Sequence, residues 1–292
     1  MNRQTRILCS IAATCGLAAG TSVMVRAGDE PVVHTDFNPN NFSWHEQIDN
    51  RYLPLFPGTK LTYEGTVNID GVPALHRIEF AVTDLSKTFN GVTSRVIYDV
   101  DSTNGVTTEA ELAFMAQDLS GNVWNSGEYP EVFEGGQFDG APATWIAGVD
   151  DALAGVGMRN RPRPATSDYF QGVVPSIEFG DIASIVGFVP NMCVTAGCFK
   201  NVLEIKETNT FEPTEGFQLK YYAPNVGNIR IDFISGTEAE TMQLVKIDLL
   251  VGEQLRELRE AARLLDKRAY KFARGVYQKT PRVKADHGDT DR

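Results

Sequence analysis

The sequence predicts a mainly β protein, an antiparallel meander that forms a curved sheet or a partly closed barrel, followed by one C-terminal amphipathic helix. Three observations indicate this fold. Apolar and polar residues alternate from Leu61 to Ile69 and in the segments that follow, as in half-buried strands. Glycine-containing turns close these segments at regular short intervals. Beyond Val251 the apolar residues recur every three or four positions, which is the helical period.

The β segments are predicted to form a single domain over residues 51–250. Asp70-Gly71 and Asn90-Gly91 are typical hairpin turns between its first strands. Near its end, the alternating segment 202–207 and the segment 217–222 are predicted to be strands. Pro224 removes an amide and Gly227 permits a positive φ, so the chain is expected to bend before a strand at 229–231, with Asn225 also suited to the left-handed region.

The flanking segments have other patterns. Residues 28–50 are polar and are predicted to be an extended lead-in. Residues 251–276 are predicted to be the helix, and residues 277–292 a disordered tail. The helix must bury its apolar stripe against its own β domain or against another copy or partner. The members of the stripe that most need burial are Leu255, Leu258, Leu265 and Phe272.

Residues 1–27 have the pattern of a secretory signal peptide. Arg3 and Arg6 precede an apolar run from Ile7 to Val25, and Ala27 suits the cleavage position. A retained membrane anchor fits less well because Gly16 and Gly20 interrupt the run. The protein is therefore predicted to be exported, to the periplasm or the extracellular space, with no integral membrane span after cleavage.

Cleavage would leave two of the four cysteines, Cys193 and Cys198. In an oxidising compartment this pair predicts a disulfide bond across a tight hairpin. A redox-active pair is the alternative, but the spacing is not that of C-x-x-C.

The charge is strongly acidic and unevenly distributed. The chain has a formal charge of −11, and loss of Arg3, Arg6 and Arg26 makes it −14. Residues 251–292 hold 11 basic and 7 acidic side chains, so the body before them carries −18 against +4. This balance argues against nucleic acid as a partner and favours packing of the helix on its own β domain.

Four motifs carry a resemblance to a family of uncharacterised secreted bacterial β-proteins. They are P-L-F-P-G-T at 54–59, A-Q-D-L-S-G-N-V-W at 116–124, A-G-C-F-K-N-V-L at 196–203 and Y-Y-A-P-N-V-G at 221–227. The resemblance extends in ordered islands over residues 50–233 and implies one continuous domain, but no activity. Asn225 and Cys198 depart from the family pattern, which has Gly and Thr at these positions.

No catalytic or metal-binding phrase is present. The chain lacks G-x-S-x-G, and its four histidines, His34, His45, His76 and His287, have no zinc-ligand spacing. Asp99 to Gly105 lacks the glycine and glutamate of a calcium loop and is interpreted as a hairpin turn. We therefore predict no metal, no cofactor and no catalytic residue.

Aromatic and polar residues in the resemblance islands could line a pocket for a sugar or an apolar ligand. The candidate ligand-binding residues are Trp124, Glu128, Trp145, Tyr169, Gln171, Tyr221 and Tyr222. The alternative for the aromatic members is that they fill the core.

The function predicted is an exported, non-enzymatic β module that binds a small ligand or a protein partner. Two alternatives remain open. One is a secreted carboxylate-dependent hydrolase acting on carbohydrate, for which Glu128, Asp150, Asp151, Glu178 and Asp181 are available carboxylates. The other is a structural subunit of an extracytoplasmic assembly, self-associated through the helix.

Overall fold

The computed structural model describes residues 35–43, 47–69, 71–211, 216–235 and 239–286. The signal peptide, Trp44, three of the four histidines and the end of the tail lie outside these ranges. Within them the strands are β1 Thr59–Ile69, β2 Val72–Phe89, β3 Val92–Thr103, β4 Val106–Gln117, β5 Val123–Glu134, β6 Gln137–Gly140, β7 Trp145–Ile146, β8 Leu153–Met158, β9 Tyr169–Val174, β10 Phe179–Val194, β11 Gly197–Asn209, β12 Phe217–Ala223, β13 Gly227–Ser235, β14 Glu240–Leu249 and β15 Lys284–Ala285. The α-helices are α1 Glu253–Phe272 and α2 Arg274–Tyr277, and 3-10 turns occupy Pro39–Asn41 and Pro175–Ile177.

Twelve of the described strands close into an antiparallel barrel. The order around it is β1, β14, β13, β12, β11, β10, β9, β8, β5, β4, β3 and β2, and β1 pairs with both β14 and β2. β6 and β7 pair with β5, and β15 pairs with β2. The predicted mainly β fold with a C-terminal helix is confirmed, and the barrel is fully closed. Closure depends on pairing between the first and last barrel strands, which local sequence patterns do not report.

Asparagine and glycine make the hairpin turns as predicted. Asn90 and Gly91 both have positive φ, 50° and 76°, which is the geometry of a two-residue hairpin turn that follows the strand twist. The bend after β12 also uses the left-handed region, with φ of 62° at Asn225 and 110° at Gly227. The sequence therefore placed these reversals correctly, because each depends only on local backbone preference.

Alternate residues of the strands face the inside and the outside of the barrel. In β3, Ile97 and Asp99 line an internal cavity, whereas Val96 and Tyr98 belong to an apolar cluster on the outer wall. β4 follows the same rule, since Glu111 and Ala113 are internal while Leu112 and Phe114 join the outer cluster. The barrel wall between β2 and β5 is thus apolar on its outer face.

Helix α1 covers this outer face. Its Leu258, Ala262, Leu265 and Ala269 are buried, and the last three join the outer apolar cluster. The prediction that the helix packs on its own β domain is confirmed. Two members of its stripe differ from expectation: Leu255 is half-buried and Phe272 is 39% exposed, with its ring against Phe138. No helix among the described residues has the length and apolar character needed to span a bilayer.

A buried lysine fixes the helix and the tail to the barrel. Lys87 of β2 is 1% exposed, and its Nζ lies 2.9 Å from Asp266 Oδ1 of α1. The same ammonium donates to Tyr270 Oη and to the carbonyl oxygen of Pro281, and it lies 4.4 Å from the centre of the Tyr277 ring. Loss of one partner would leave a buried charge, which is far costlier than the pair is favourable.

The chain after α1 is ordered further than predicted. The predicted disordered tail over 277–292 instead packs as far as Asp286, because β15 pairs with β2 and the Asp286 carboxylate binds Arg95. The lead-in predicted over 28–50 also packs where it is described. Phe37 and Phe42 contact the Trp124 ring edge-on, at centroid distances of 5.4 and 6.0 Å. The sequences of the lead-in and the tail are mostly polar, and the residues that anchor them are few and widely spaced. Their packing was therefore not predicted.

The predicted disulfide is present between Cys193 and Cys198, which face each other across the β10–β11 hairpin. The hairpin tip reaches β14, where the Ala196 amide donates to the Leu244 carbonyl oxygen at 3.0 Å. In the described part of the chain, β13 and β14 pair between 230–232 and 241–243, and the tip contacts β14 directly after this paired stretch. The long hairpin therefore completes the wall at this position.

Adjacent leucines on α1 provide a test of the outer core. Leu265 is buried under the helix and Leu264 is 60% exposed. Leu265→Ala should lower the free energy of unfolding by about 2–5 kcal/mol, whereas Leu264→Ala should change it by about 0.5 kcal/mol or less. Urea unfolding monitored by circular dichroism measures both. Equal effects of the two substitutions would show that the helix does not pack in this orientation.

Removal of the disulfide should weaken the hairpin arm measurably. The double variant Cys193→Ser/Cys198→Ser should lose about 2 kcal/mol of unfolding free energy, since the bond closes a short loop. Treatment of the parent with a reductant should produce the same decrease in melting temperature and should not affect the double variant. An unchanged melting temperature in the variant would mean that the hydrogen bonds to β14 alone hold the tip.

Candidate functional site

The candidate site is a cavity of about 130 Å³ inside the barrel. Most of the barrel strands contribute side chains to it. The segment Leu53–Leu55, which precedes β1, borders the cavity at one end of the barrel. Residues 226–228, at the start of β13, border it at the same end. Pro54 and Leu55 are buried and Leu53 is half-buried, so this segment lies across that end.

Much of the cavity wall is apolar. β1 to β4 supply these side chains from their inward-facing positions, and β13, which is separated from β1 by β14, adds one. The lining members of these strands are Leu61, Tyr63, Ile78, Phe80, Val82, Ile97, Ala113, Met115 and Ile231. This part of the wall is suited to the hydrocarbon portion of a ligand.

The remaining wall is acidic. Five carboxylates line the cavity, Asp99, Glu111, Glu128, Asp181 and Glu207, against one ammonium, Lys220. All except Asp181 have less than a tenth of their surface exposed. The site therefore combines an apolar wall with a cluster of buried charges of predominantly one sign.

Glu128, a predicted site residue, is held by two neutral donors. Asn125 Nδ2 donates to its Oε1 at 2.6 Å, and Trp145 Nε1 donates to its Oε2 at 2.9 Å. The register between β4 and β5 shifts between Asn125 and Glu128. Gly127 lies too close to the backbone of β7 to carry a side chain, so Trp145 is held next to Glu128. The carboxylate is therefore fixed in position at the cavity wall.

Gln171 and Tyr222, also predicted, meet at Glu207. Gln171 Nε2 donates to Glu207 Oε1 at 3.1 Å, and the Tyr222 hydroxyl lies 3.5 Å from the same oxygen. Lys220 Nζ lies 2.5 Å from the other oxygen, Glu207 Oε2. These four side chains, from β9, β11 and β12, form one hydrogen-bonded group on the cavity wall.

The other predicted residues do not line the cavity. Trp124, Trp145 and Tyr169 are buried in the core cluster, where Trp124 Nε1 donates to Asp118 Oδ2 and the Arg159 guanidinium stacks on Tyr169. Tyr221 faces away from Tyr222 and donates its hydroxyl to Glu204 Oε1. For these three core aromatics the structure supports the alternative that the sequence left open.

The structure brings in acidic residues that the sequence did not single out as a site. Asp99 and Glu111 are directly opposite each other in the β3–β4 register, and so are Asp101 and Glu109 one step further along the barrel. The sequence signal that could have identified them is a carboxylate at every second position in two consecutive strands, which places the carboxylates on one face of the sheet. Asp150, Asp151 and Glu178, considered as hydrolase carboxylates, lie in exposed turns instead.

A deeper acidic layer surrounds His76. The imidazole Nδ1 lies 3.2 Å from Thr103 Oγ1, while Nε2 lies 3.8 Å from Asp101 Oδ2 and 3.7 Å from Glu240 Oε1. Burial lowers the pKa of His76 to about 4, so the ring is neutral at pH 7. Burial, with added repulsion from Asp99, Glu109, Glu240 and Glu111, raises the pKa of Asp101 well above its usual value.

This layer is not arranged as a metal site. Among the described residues, no group of three or more histidine, cysteine, aspartate or glutamate side chains is placed to hold a metal ion. The cavity itself presents carboxylates that can accept hydrogen bonds, beside an apolar wall.

No protein-family model matches the chain, and no curated protein matches it. Solved structures similar to it include a candidate exported protein with a YmcC-like fold from Bacteroides fragilis, at 14% identity over 68% of this chain and 99% of that chain, with a TM-score of 0.41. A candidate lipoprotein from Parabacteroides distasonis is also similar, at 14% identity over 68% of this chain and 99% of that one (TM-score 0.29). A DUF1329 family protein from Desulfovibrio piger is 7% identical over 66% of this chain and 86% of that chain, with a TM-score of 0.24. Similarities this low carry no functional argument, and the motif-based resemblance stays a prediction.

The raised pKa of Asp101 predicts the pH dependence of its contribution to stability. The folded chain binds its proton more tightly than the unfolded chain, so the contribution is complete below the unfolded pKa and is lost as pH rises through the folded pKa. Asp101→Asn should therefore raise the melting temperature more at about pH 7.5 than at about pH 4. Thermal unfolding followed by circular dichroism measures both values.

His76 provides a control of opposite sign. Its pKa is lowered in the folded chain, so its contribution is complete above the unfolded pKa near 6.5 and is lost as pH falls toward about 4. His76→Gln should therefore raise the melting temperature more at low pH than at neutral pH. A benefit of Asp101→Asn that is equal at both pH values would contradict the assignment of a raised pKa.

Proposed function

We propose that this protein is an exported, non-enzymatic binding protein whose barrel cavity holds a small ligand. Export is supported by the signal-peptide pattern of residues 1–27 and by the Cys193–Cys198 disulfide, which is typical of oxidising compartments. Binding is supported by the cavity.

The cavity is the observation that carries the proposal. Protein interiors are close-packed and have few voids larger than a water molecule. This barrel retains about 130 Å³, close to the roughly 150 Å³ of an apolar cavity that accommodates benzene. An apolar wall with a few fixed polar groups is also the usual composition of a ligand pocket. The ligand proposed is therefore of about the size of a single substituted ring.

The barrel end at Leu53–Leu55 is the proposed entrance. This short segment is not part of a strand and borders the cavity. The Leu55 amide donates to the Ile48 carbonyl oxygen, so the segment is attached to the preceding loop, whereas the barrel strands are held on both sides. Movement here would admit a ligand without opening the barrel wall.

Two observations favour binding over the alternatives. A glycosidase needs two carboxylates on either side of a bound sugar, with one free to move a proton. Of the carboxylates considered for this chemistry, Asp150, Asp151 and Glu178 lie in exposed turns. Glu128 accepts hydrogen bonds at both of its oxygens. For a structural subunit assembled through the helix, the apolar stripe of α1 would be the natural contact, but most of it is buried on this chain's own barrel.

Filling of the cavity tests this proposal. Ala113 lines the cavity from β4, so Ala113→Leu should fill part of it. Benzyl alcohol, a neutral single-ring probe, should produce saturable shifts of cavity-wall resonances in the parent, followed by two-dimensional NMR. The variant should bind the probe at least about tenfold more weakly, which corresponds to about 1.4 kcal/mol.

Ala239→Leu is the matched control, because Ala239 is exposed on the loop before β14 and outside the cavity. Its probe affinity should equal that of the parent. Saturable binding that is unchanged in Ala113→Leu would place the ligand outside the barrel and contradict the proposal.

A further inference from the structure

We propose that the ligand of the barrel cavity is a small cationic amphiphile, an alkyl or aryl amine whose ammonium group binds the acidic wall. This inference rests on the proposed ligand-binding function and specifies the chemical class of the ligand. It follows from the charge, the strand register and the shape of the cavity.

The formal charges at the cavity do not balance. Five lining carboxylates face one lining ammonium, which leaves four negative charges when all the groups are ionised. Lys220 Nζ forms an ion pair with Glu207 Oε2 at 2.5 Å. The two donors identified on Glu128, from Asn125 and Trp145, are neutral, so these contacts bring no positive charge to the site.

The strand register concentrates this charge. Asp99 and Glu111 are directly opposite on β3 and β4, and both face the cavity. Like charges at opposed positions destabilise a sheet, and the cost rises where the groups are buried. Their exposed fractions are 4% and 1%, so solvent does little to screen them. A bound cation would relieve this repulsion.

The deeper layer repeats the pattern of opposed carboxyl groups. Asp101 and Glu109 repeat the opposed carboxylate pair one step beyond the cavity, and Glu240 joins them. His76, the basic side chain at this layer, is neutral at pH 7 because burial lowers its pKa to about 4. An anionic ligand would therefore meet acidic groups at the cavity wall, with no charged histidine behind them to offset the repulsion.

The apolar part of the same wall defines the rest of the ligand. Phe80, Ile97 and Met115 line the cavity beside the acidic residues and would contact a hydrocarbon body. A cavity of about 130 Å³ suits one ring or a short alkyl chain with a single charged head. Benzylamine has this form, and benzyl alcohol and benzoate provide its neutral and anionic counterparts.

Isothermal titration calorimetry of the full mature chain with these three probes at neutral pH tests the inference. Benzylamine should bind at least about tenfold more tightly than benzyl alcohol, and benzoate should bind more weakly than either. Benzyl alcohol binding as tightly as benzylamine would overturn the charge requirement and leave the cavity-binding function intact. If none of the three binds, the proposed function itself is wrong, and this inference fails with it.

Two substitutions with opposite expected effects on benzylamine affinity distinguish recognition of the ammonium group from damage to the fold. Lys220→Met releases the Glu207 carboxylate and removes the competing ammonium, so it should tighten benzylamine binding several-fold and leave benzyl alcohol unchanged. Glu111→Gln should weaken benzylamine binding about tenfold. Lys246→Met is the matched control, because Lys246 is an exposed lysine on β14 that does not line the cavity.

Melting curves establish first that each variant is folded. If Lys220→Met weakens benzylamine binding while remaining folded, Lys220 itself contributes to the ligand contact and the cationic assignment is overturned. If Glu111→Gln proves unstable, the sign of the Lys220→Met effect still decides the question.

Discussion

The pairing of β1 with both β2 and β14 is the constraint on which the rest of the structure depends. It joins the first barrel strand to the last and turns a meander into a closed ring without free edges. Closure gives every barrel strand an inner and an outer face, and it separates two environments that an open sheet would share. The cavity with its acidic wall exists because the ring of strands encloses one of these environments laterally.

Closure also allows stabilising residues and candidate site residues to lie on different faces of the barrel wall. One large apolar cluster lies outside the ring, between the β2–β5 wall and the C-terminal helices, and it includes Phe114, Tyr129 and Tyr277. Burial on this outer face supplies stability that does not depend on a filled barrel interior. The interior can therefore tolerate opposed carboxylates such as Asp99 and Glu111, which would be hard to accommodate if it were the only core.

The sequence predicted what depends on local preference. Asn90-Gly91 makes a hairpin turn wherever two strands flank it, and the three-and-four spacing of Leu258, Ala262 and Leu265 indicates a helix face without reference to a partner. Ring closure, the order of the tail to Asp286 and the meeting of Gln171 with Glu207 all depend on residues far apart in the chain. The acidic residues of β3 and β4 recur at every second position in the sequence. Asp99 to Gly105 was interpreted as a hairpin turn, however, and this interpretation did not require the acidic side chains to face the barrel interior.

The two faces of β4 show why the candidate site follows from the fold rather than from a motif. Outward Leu112 and Phe114 are fixed by the helix, and this packing sets the orientation of Glu111 and Ala113 between them. Because side chains alternate strictly along a strand, a register that buries the apolar pair must direct the carboxylate into the barrel. The helix thus affects the cavity without contacting it. Because the helix buries the apolar side chains on the outer face of β4, the Glu111 carboxylate must lie on the inner face.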